Sequence, residues 1–267
     1  MAEATAPFTA IILAGKRPGT DPVAEAAGVA CKSFAPIGGR PMVLRVLDAL
    51  AASRQVGSQI LCGPSPSTIA NEPELKARIE TGQVQWMDSL ATPSASTYNA
   101  LQSLSENTPV LVTTADHALL TSQIVDFFCD QARRSDCDLA FGLTSYKGVR
   151  AAFPETRRTA IKFNDDAYSS CNLFGFLNQR SHRAAAFWRR IEQDRKKPLR
   201  MMRVFGWWTV LQFGLGRFSL AQGLEKLSAM IQIRVRAVLL PFPEAAVDVD
   251  TADDWHFVQQ LVRKQSL

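Results

Sequence analysis

The chain has 267 residues, of which 46% are hydrophobic, so it can bury a full core and is too long for a short interaction module. Its 30 Lys and Arg residues against 25 Asp and Glu residues give a net charge of +5, which suits anionic substrates but is too small to indicate nucleic-acid binding. The sequence has no secretory signal, no apolar run long enough to span a membrane and no Cys-x-x-Cys pair among its five cysteines, which predicts a cytoplasmic protein with reduced thiols.

The first predicted elements are a strand, a long basic loop and a helix. Residues 8–13 are apolar and rich in β-branched side chains, which predicts a buried strand. The strand leads into Ala14-Gly15-Lys16-Arg17, where backbone N–H groups and basic side chains can face an anion such as a nucleotide phosphate. Gly15 by itself also fits an ordinary turn. Lys32 lies in the same loop, and from Pro41 the apolar residues return at helical spacing.

Strand and helix patterns then alternate along the chain. Residues 59–62 and 84–87 have the pattern of short strands. This alternation predicts a mostly parallel sheet with crossover helices. The hydroxyl-rich segment 92–101 opens the next helix, where either Ser94 or Ser96 is typical of an N-cap.

One carboxylate follows the buried strand predicted over residues 109–114. Asp116 lies just past the carboxyl end of that strand, which is where open α/β sheets bind ligands. Alternatively, Asp116 is the N-cap of a helix predicted over residues 119–133. The neighbouring His117 is more typical of a loop histidine than of a catalytic one.

The second half of the chain carries polar residues beside two strand-like segments. Arg157 and Arg158 precede residues 160–163, and their spacing fits either a solvated edge or a clamp on a phosphate. Asn172 lies in the strand-like segment 168–176, where it fits either a turn or a contact with a second substrate.

The segment from Arg180 to Arg203 is strongly basic, and Trp207 and Trp208 follow it. Its residues fit a pair of core helices with a charged outer face. Alternatively, residues 189–213 form an interfacial membrane element, because Trp and Arg both favour the headgroup layer. We predict a helical insertion over about residues 180–225 within a single domain spanning residues 1–267.

The last part of the chain contains two closely spaced carboxylates. Residues 231–240 predict a strand, and Asp248 and Asp250 follow it in an extended segment. Alternation places both carboxylates on one face, where they repel unless a cation lies between them or water screens them. The alternative for the end of this segment is an N-cap pair made by Thr251 and Asp254.

Several of these segments resemble the nucleotidyltransferases of the molybdenum-cofactor guanylyltransferase type. Residues 13–15 resemble the family's Leu-Ala-Gly-Gly, with Lys16 in place of the second Gly, where it either crowds the loop or adds a cation. Residues 36–42 resemble its Pro-x-x-Gly-x-Pro-Met segment. Asp116 matches the Asp of its Asp-x-Pro strand end, and residues 248–254 resemble its terminal Asp-x-Asp-Thr-x-x-Asp.

This resemblance implies a three-layer α/β sandwich with a mostly parallel, Rossmann-like, GT-A-type sheet. It also implies Mg²⁺-dependent transfer of an NMP from an NTP to a phosphorylated acceptor, releasing pyrophosphate. The basic, Trp-bearing insertion favours a phosphorylated polyol, sugar or lipid headgroup precursor as the acceptor, with CTP or GTP as the NTP, over the molybdenum cofactor itself. The alternative is a non-catalytic nucleotide-binding or membrane-surface protein that keeps the fold. The implied site residues are Lys32, Asp116 and Asp250 for catalysis; Leu13, Ala14, Gly15, Lys16, Arg17, Lys32, Ser94 and Ser96 for the nucleotide; Asn172, Arg157 and Arg158 for the acceptor; and Asp116, Asp250 and Asp248 for the metal.

Overall fold

The fold is built on a mixed sheet flanked by helices. The computed structural model describes residues 6–15, 19–156, 158–194 and 218–265. The strands are β1 (Phe8–Leu13), β2 (Pro36–Ile37), β3 (Arg40–Pro41), β4 (Val56–Cys62), β5 (Gln85–Met87), β6 (Val110–Thr114), β7 (Leu139–Ser145), β8 (Ile161–Lys162), β9 (Ala167–Phe176) and β10 (Val235–Leu239). The helices are α1 (Pro22–Ala27), α2 (Met42–Ala51), α3 (Pro66–Ile69), α4 (Pro73–Glu80), α5 (Pro93–Gln102), α6 (Ser122–Arg134), α7 (Tyr146–Ala152), α8 (His182–Asp194), α9 (Leu220–Ile231) and α10 (Ala252–Gln265).

The strand order of the main sheet is β10-β7-β9-β6-β1-β4-β5, with β8 paired to β9. Strands β4 and β6 flank β1 in parallel, β5 is parallel to β4, and β10 is parallel to β7. Strand β9 is antiparallel to both β6 and β7 and to β8. All the other strands of the described sheet therefore share one direction, and the prediction of a mostly parallel α/β sheet is confirmed.

The alternation of side chains along β1 divides the core into two layers. Ala10 and Ile12 belong to a fully buried cluster that includes residues of α2 and α6. Ile11 points to the opposite face and joins a second cluster that includes residues of α5, α8 and α9. Because successive strand residues point to opposite faces, a β1 that is apolar except for Thr9 requires helices on both sides. The three-layer arrangement follows from that requirement.

Two predicted elements begin later than the sequence pattern indicates. The strand predicted from Ile231 begins at Val235, because Ile231 ends helix α9 and Gln232 closes that helix with a left-handed φ of 56°. The helix predicted from Leu119 begins at Ser122, and the side chain of Thr121 caps it by accepting the N–H of Ile124 at 3.3 Å. Asp116 is therefore not the N-cap of this helix.

The predicted insertion is described only at its two ends, since residues 195–217 lie outside the described residues. Helix α8 packs on α5, where the Arg189 guanidinium lies 4.4 Å from the ring centroid of Tyr98. Nearby, a carboxylate oxygen of Glu192 accepts the backbone N–H of Ser94 at 3.1 Å. The start of the 189–213 segment thus belongs to the helical layer. None of the helices in the described ranges is long and apolar enough to cross a bilayer.

Phe128 gives a direct measure of how much the α6 layer stabilises the fold. Its side chain is fully buried, and its ring packs over Gly175 in β9, where a Cβ atom would lie 3.3 Å from the ring. We expect Phe128→Ala to lower the free energy of unfolding by about 3–5 kcal/mol, because it leaves a cavity. Urea unfolding measures this loss. The control Leu239→Ala removes a side chain that is 52% exposed and should cost well under half as much.

His117 predicts a pH dependence of stability. Burial lowers the pKa of its imidazole to about 4, although the charge of Asp116 opposes the shift. The unfolded chain binds a proton near pH 6.5 and the folded chain does not, so stability is full above about pH 6.5 and falls as the pH drops towards 4. The loss between pH 7 and pH 5 should be about 2 kcal/mol larger in the wild type than in His117→Gln, as measured by urea unfolding. Equal pH slopes in the two proteins would contradict the assignment.

Candidate active site

A cleft of about 320 Å³ opens at the carboxyl edge of the parallel strands. The last residues of β1, β4 and β6 line its floor, and the loop before α5 lines one wall. Ligands bind at this edge in open α/β sheets because loops from neighbouring strands meet there. The predicted site residues that line the cleft are Leu13, Ala14, Gly15, Lys32, Ser96, Asp116 and Asp250.

A lysine joins two carboxylates inside this cleft. The Lys32 Nζ atom lies 2.7 Å from Asp116 Oδ2 and 2.6 Å from Asp250 Oδ1. The side chains of Lys32 and Asp116 are 18% and 19% exposed, whereas that of Asp250 is 49% exposed. The structure therefore brings together the three residues predicted to be catalytic, although the two carboxylates lie 84 and 218 positions from Lys32 in the sequence.

Backbone hydrogen bonds fix the two carboxylates relative to the sheet. The turn after β6 is anchored to β1 because Ala115 donates its N–H to the Leu13 carbonyl at 3.0 Å. The segment after β10 is anchored to the same turn, since Val249 donates its N–H to the Asp116 carbonyl at 3.1 Å. These two backbone bonds tie the turn that carries Asp116 to the sheet and bring the segment before Asp250 alongside it.

Burial and charge act in opposite directions on the Lys32 ammonium. Burial lowers its pKa, but the charges of Asp116 and Asp250 and their hydrogen bonds outweigh burial and hold the pKa above its ordinary value. Lys32 is therefore positively charged at neutral pH. In this structure the charge is paired with both carboxylates.

Gly15 is required by a close approach of two loops rather than by a turn. A Cβ atom at this position would lie 2.9 Å from the Cβ of Ser89 in the loop after β5. Gly63, with a φ of 77°, lies against the same pair, and a Cβ on it would be 3.2 Å from the Gly15 Cα. The backbone at Gly15 thus lies directly against the Ser89 side chain and the backbone of Gly63, and there is no room for a side chain at position 15.

The hydroxyl segment before α5 differs from its prediction. The N-cap is Thr92, whose hydroxyl accepts the N–H of Ala95 at 3.2 Å, and Pro93 occupies the first helical position. Ser96 lines the cleft, but its hydroxyl accepts the N–H of Leu90 at 2.8 Å. Ser94 is fully buried and its hydroxyl contacts that of Thr92, so its side chain does not face the cleft. The Pro after Thr92 was the sequence signal for this cap.

Asp248 has different partners from those expected of a metal ligand. Its Oδ1 atom lies 2.5 Å from the Arg158 guanidinium, and its Oδ2 atom accepts the Asn172 amide at 3.0 Å. Burial raises the pKa of Asp248, and the charges of Asp250 and Asp116 raise it further. Because both of its oxygens are engaged by protein donors, the prediction that Asp248 is a third metal ligand gains no support from the geometry.

The predicted acceptor residues are also placed differently. Asn172 lies within β9 at an irregularity of the pairing with β7, and its φ of 49° is in the left-handed region. Its amide holds Asp248. The Arg158 side chain is only 7% exposed and is paired with Asp248 and Asp254, so it is not a clamp open to an acceptor phosphate. The pattern of two adjacent arginines gave no signal for these partners.

Three predicted site residues, Lys16, Arg17 and Arg157, lie outside the described residues.

The alternative predicted for the end of the acidic segment, an N-cap pair made by Thr251 and Asp254, is confirmed. The Thr251 hydroxyl accepts the N–H of Asp254 at 3.1 Å, and the Asp254 carboxylate accepts the N–H of Thr251 at 3.0 Å. These reciprocal bonds are those of an N-terminal capping pair before α10.

The chemistry of the site fits a hard divalent cation held partly by a substrate. Asp116 Oδ1 is buried and has no hydrogen-bond partner among the described residues, which leaves a carboxylate oxygen for a further ligand. No three His, Cys, Asp or Glu side chains of the described ranges form a cluster suited to a metal ion. Mg²⁺ is commonly held by one or two carboxylates with substrate phosphates and water, so Asp116 and Asp250 suffice.

The comparisons with known proteins agree with this geometry. The family described as MobA-like NTP transferase domain matches residues 10–205. A solved structure described as a hypothetical transferase from Thermus thermophilus is 30% identical, with a TM-score of 0.77, covering 93% of this chain and 99% of that chain. None of the curated protein sequences compared matches this chain significantly.

Two more distant structures share the fold. The 4-diphosphocytidyl-2C-methyl-D-erythritol synthase of Anaerococcus prevotii is 14% identical, with a TM-score of 0.57 and 97% of each chain covered. The CMP:2-keto-3-deoxy-manno-octonic acid synthetase, complexed with CTP, is 11% identical, with a TM-score of 0.54, covering 97% of this chain and 99% of that chain. With a family match over well more than half of its length, the chain belongs to the MobA-like NTP transferase domain family, and it is a nucleotidyltransferase.

Proposed function

We propose that the protein transfers an NMP from CTP or GTP to a phosphorylated small molecule, with Mg²⁺ as cofactor and pyrophosphate as product. The observation that carries the proposal is the pair of carboxylates, Asp116 and Asp250, held 2.7 Å and 2.6 Å from one lysine in a cleft at the carboxyl edge of the sheet. A nucleotide with its metal needs both charge types in one place. Lys32 provides the cation and the carboxylates provide oxygen ligands.

The nucleotide is expected to lie along the wall made by the loop after β1. Ala14 and Gly15 line the cleft, and Gly15 has no side chain to keep a phosphate away from the backbone N–H groups. The resemblance to guanylyltransferases supports GTP. The fold shared with a synthase of a diphosphocytidyl compound and with a synthetase complexed with CTP supports CTP.

The reaction requires positioning more than acid–base chemistry. An oxygen of the acceptor phosphate forms a bond to the α-phosphorus while the bond from that phosphorus to the β-phosphate oxygen breaks, and pyrophosphate leaves with the electron pair. The acceptor oxygen is already ionised, so no general base is needed. Lys32 would bind the triphosphate and balance charge that shifts towards the leaving group.

Asp116 and Asp250 would hold Mg²⁺ in this scheme, with phosphate oxygens completing its ligands. When bound, the metal supplies charge neutralisation at the phosphates. Lys32 would then donate to phosphate oxygens in place of one or both carboxylates, since its three donors can rearrange around a compact ammonium. The carboxylates would keep the nucleotide oriented and the fixed wall would exclude water from one side.

A phosphorylated acceptor is supported by the charge balance of the chain. The net charge of +5 suits two anionic substrates. The polyol, sugar or lipid headgroup precursor that we favour would enter from the side of Asp250, which is the more exposed of the two carboxylates. Candidate acceptors can be screened by pyrophosphate release once the nucleotide is known.

Thermal stabilisation by each NTP tests the metal–nucleotide site. A ligand at about 100 times its dissociation constant adds roughly 2.7 kcal/mol to the stability of the folded protein. We expect CTP or GTP to raise the melting temperature in the presence of Mg²⁺ and to raise it much less with EDTA. An equal shift with all four NTPs in the absence of metal would contradict the proposal.

Asp116→Asn tests the role of the buried carboxylate. The change keeps the shape of the side chain but removes its charge, so we expect pyrophosphate release to fall by about 100-fold or more, since even indirect partners of metal ligands cost about 10–100-fold. Asp136→Asn is the matched control, because Asp136 is 85% exposed and pairs with Arg234 at the surface. Full turnover by Asp116→Asn would refute the assignment.

A further inference from the structure

Arg158 holds two acidic residues that lie on either side of Asp250. Its Nη1 atom donates to the Asp248 carbonyl at 2.8 Å and to Asp248 Oδ1 at 2.5 Å. Its Nη2 atom donates to Asp254 Oδ1 at 2.5 Å. The Arg158 side chain is 7% exposed, and its guanidinium links the main chain before Asp250 to the first turn of α10 after it.

Asp254 extends this link to the backbone of Asp250. While Oδ1 faces Arg158, Oδ2 accepts the N–H of Thr251 at 3.0 Å and lies 3.3 Å from the N–H of Asp250. The Thr251 hydroxyl donates to the same oxygen at 2.7 Å. Arg158 thus orients one oxygen of the Asp254 carboxylate, and the other oxygen holds the backbone N–H groups of Asp250 and Thr251.

Asp250 depends on this support more than Asp116 does. Asp116 follows directly on β6, and its turn is bonded to β1. Asp250 lies in a segment between a short 3₁₀ helix (Pro243–Ala246) and α10, and its side chain is 49% exposed. An exposed carboxylate keeps one direction only if its backbone is fixed, because solvent does not restrict its rotamers. Arg158, Asp248 and Asp254 together fix this backbone.

We propose that Arg158 is a positioning residue that orients Asp250 for metal binding through Asp248 and Asp254. The inference rests on the proposed function, in which Asp116 and Asp250 hold Mg²⁺. It replaces the role of acceptor clamp expected from the sequence, since the side chain is 7% exposed and both terminal nitrogens of the guanidinium donate to Asp248 and Asp254. The role requires the planar guanidinium of Arg158, because a lysine has the same charge but cannot present a planar pair of donors to two carboxylates.

The experiment compares Mn²⁺ binding in wild type, Arg158→Lys and Arg158→Met by electron paramagnetic resonance, in the presence of saturating CTP and, separately, of saturating GTP. We expect both variants to raise the dissociation constant of Mn²⁺ by about 10-fold or more, as loss of indirect support does at other metal sites. Nucleotide affinity measured in EDTA should stay within about twofold of wild type, a split that general loosening of the fold would not produce.

Two further variants make the result specific. Asp254→Asn weakens the Arg158–Asp254 ion pair while Arg158 remains present, and it should also raise the Mn²⁺ dissociation constant. Arg234→Lys is the matched control, since Arg234 pairs with Asp136 at 2.6 Å outside the cleft, and it should leave Mn²⁺ binding unchanged. In an Asp250→Asn background, Arg158→Lys should have no additional effect, because its target is gone.

The outcomes separate the inference from the proposed function. Wild-type affinity for Mn²⁺ in Arg158→Lys would overturn the positioning role and leave the proposed function standing. A wild-type protein that binds no Mn²⁺ with either nucleotide would refute the proposed function, and the positioning role with it. Equal loss of Mn²⁺ binding and of nucleotide binding in EDTA would show a structural role alone and would also overturn the inference.

Discussion

The ion triad of Lys32 with Asp116 and Asp250 is the interaction around which the cleft is built. A lysine with most of its side chain buried is unfavourable unless opposite charges compensate for the lost hydration. Here two carboxylates supply that compensation, and each comes from a different part of the sheet. The triad forms only when the turn at Lys32, the end of β6 and the segment before α10 come together, so an intact cleft requires the completed fold.

Strand β9 runs antiparallel to its neighbours and contributes a residue to the terminal acidic segment of the site. It lies between β6 and β7 and brings Asn172 to a break in the pairing, where a left-handed φ directs the amide to Asp248. A non-glycine residue in that conformation costs free energy, and such strain tends to persist at functional positions. The strand thereby contacts the terminal acidic segment through Asn172, while Arg158 contacts it through Asp248 and Asp254.

Sequence patterns identified the parts of the fold that depend on local chemistry. An apolar β1 and a carboxylate just after β6 are visible in a short window, so the amino-acid sequence alone places Asp116 at the ligand-binding edge. The resemblance then linked it with Lys32 and Asp250. The partners of Arg158 could not be predicted, because adjacent arginines look alike whether they face solvent or two distant carboxylates. The start of β10 was missed for a related reason: Ile231 continues the apolar pattern of the strand, and only the left-handed Gln232 separates it from α9.

The lysine between the carboxylates also bears on how a ligand arrives. Two bare carboxylates at the floor of a narrow cleft would create a negative potential that slows the approach of a triphosphate. With Lys32 at 2.7 Å and 2.6 Å from them, much of that field is cancelled inside the protein before any ligand enters. A nucleotide that carries its own divalent cation would bring these carboxylates a new counterion and would release Lys32 to the phosphates. Lys32 would therefore act as an internal counterion that compensates the two carboxylates until a metal–nucleotide complex takes its place.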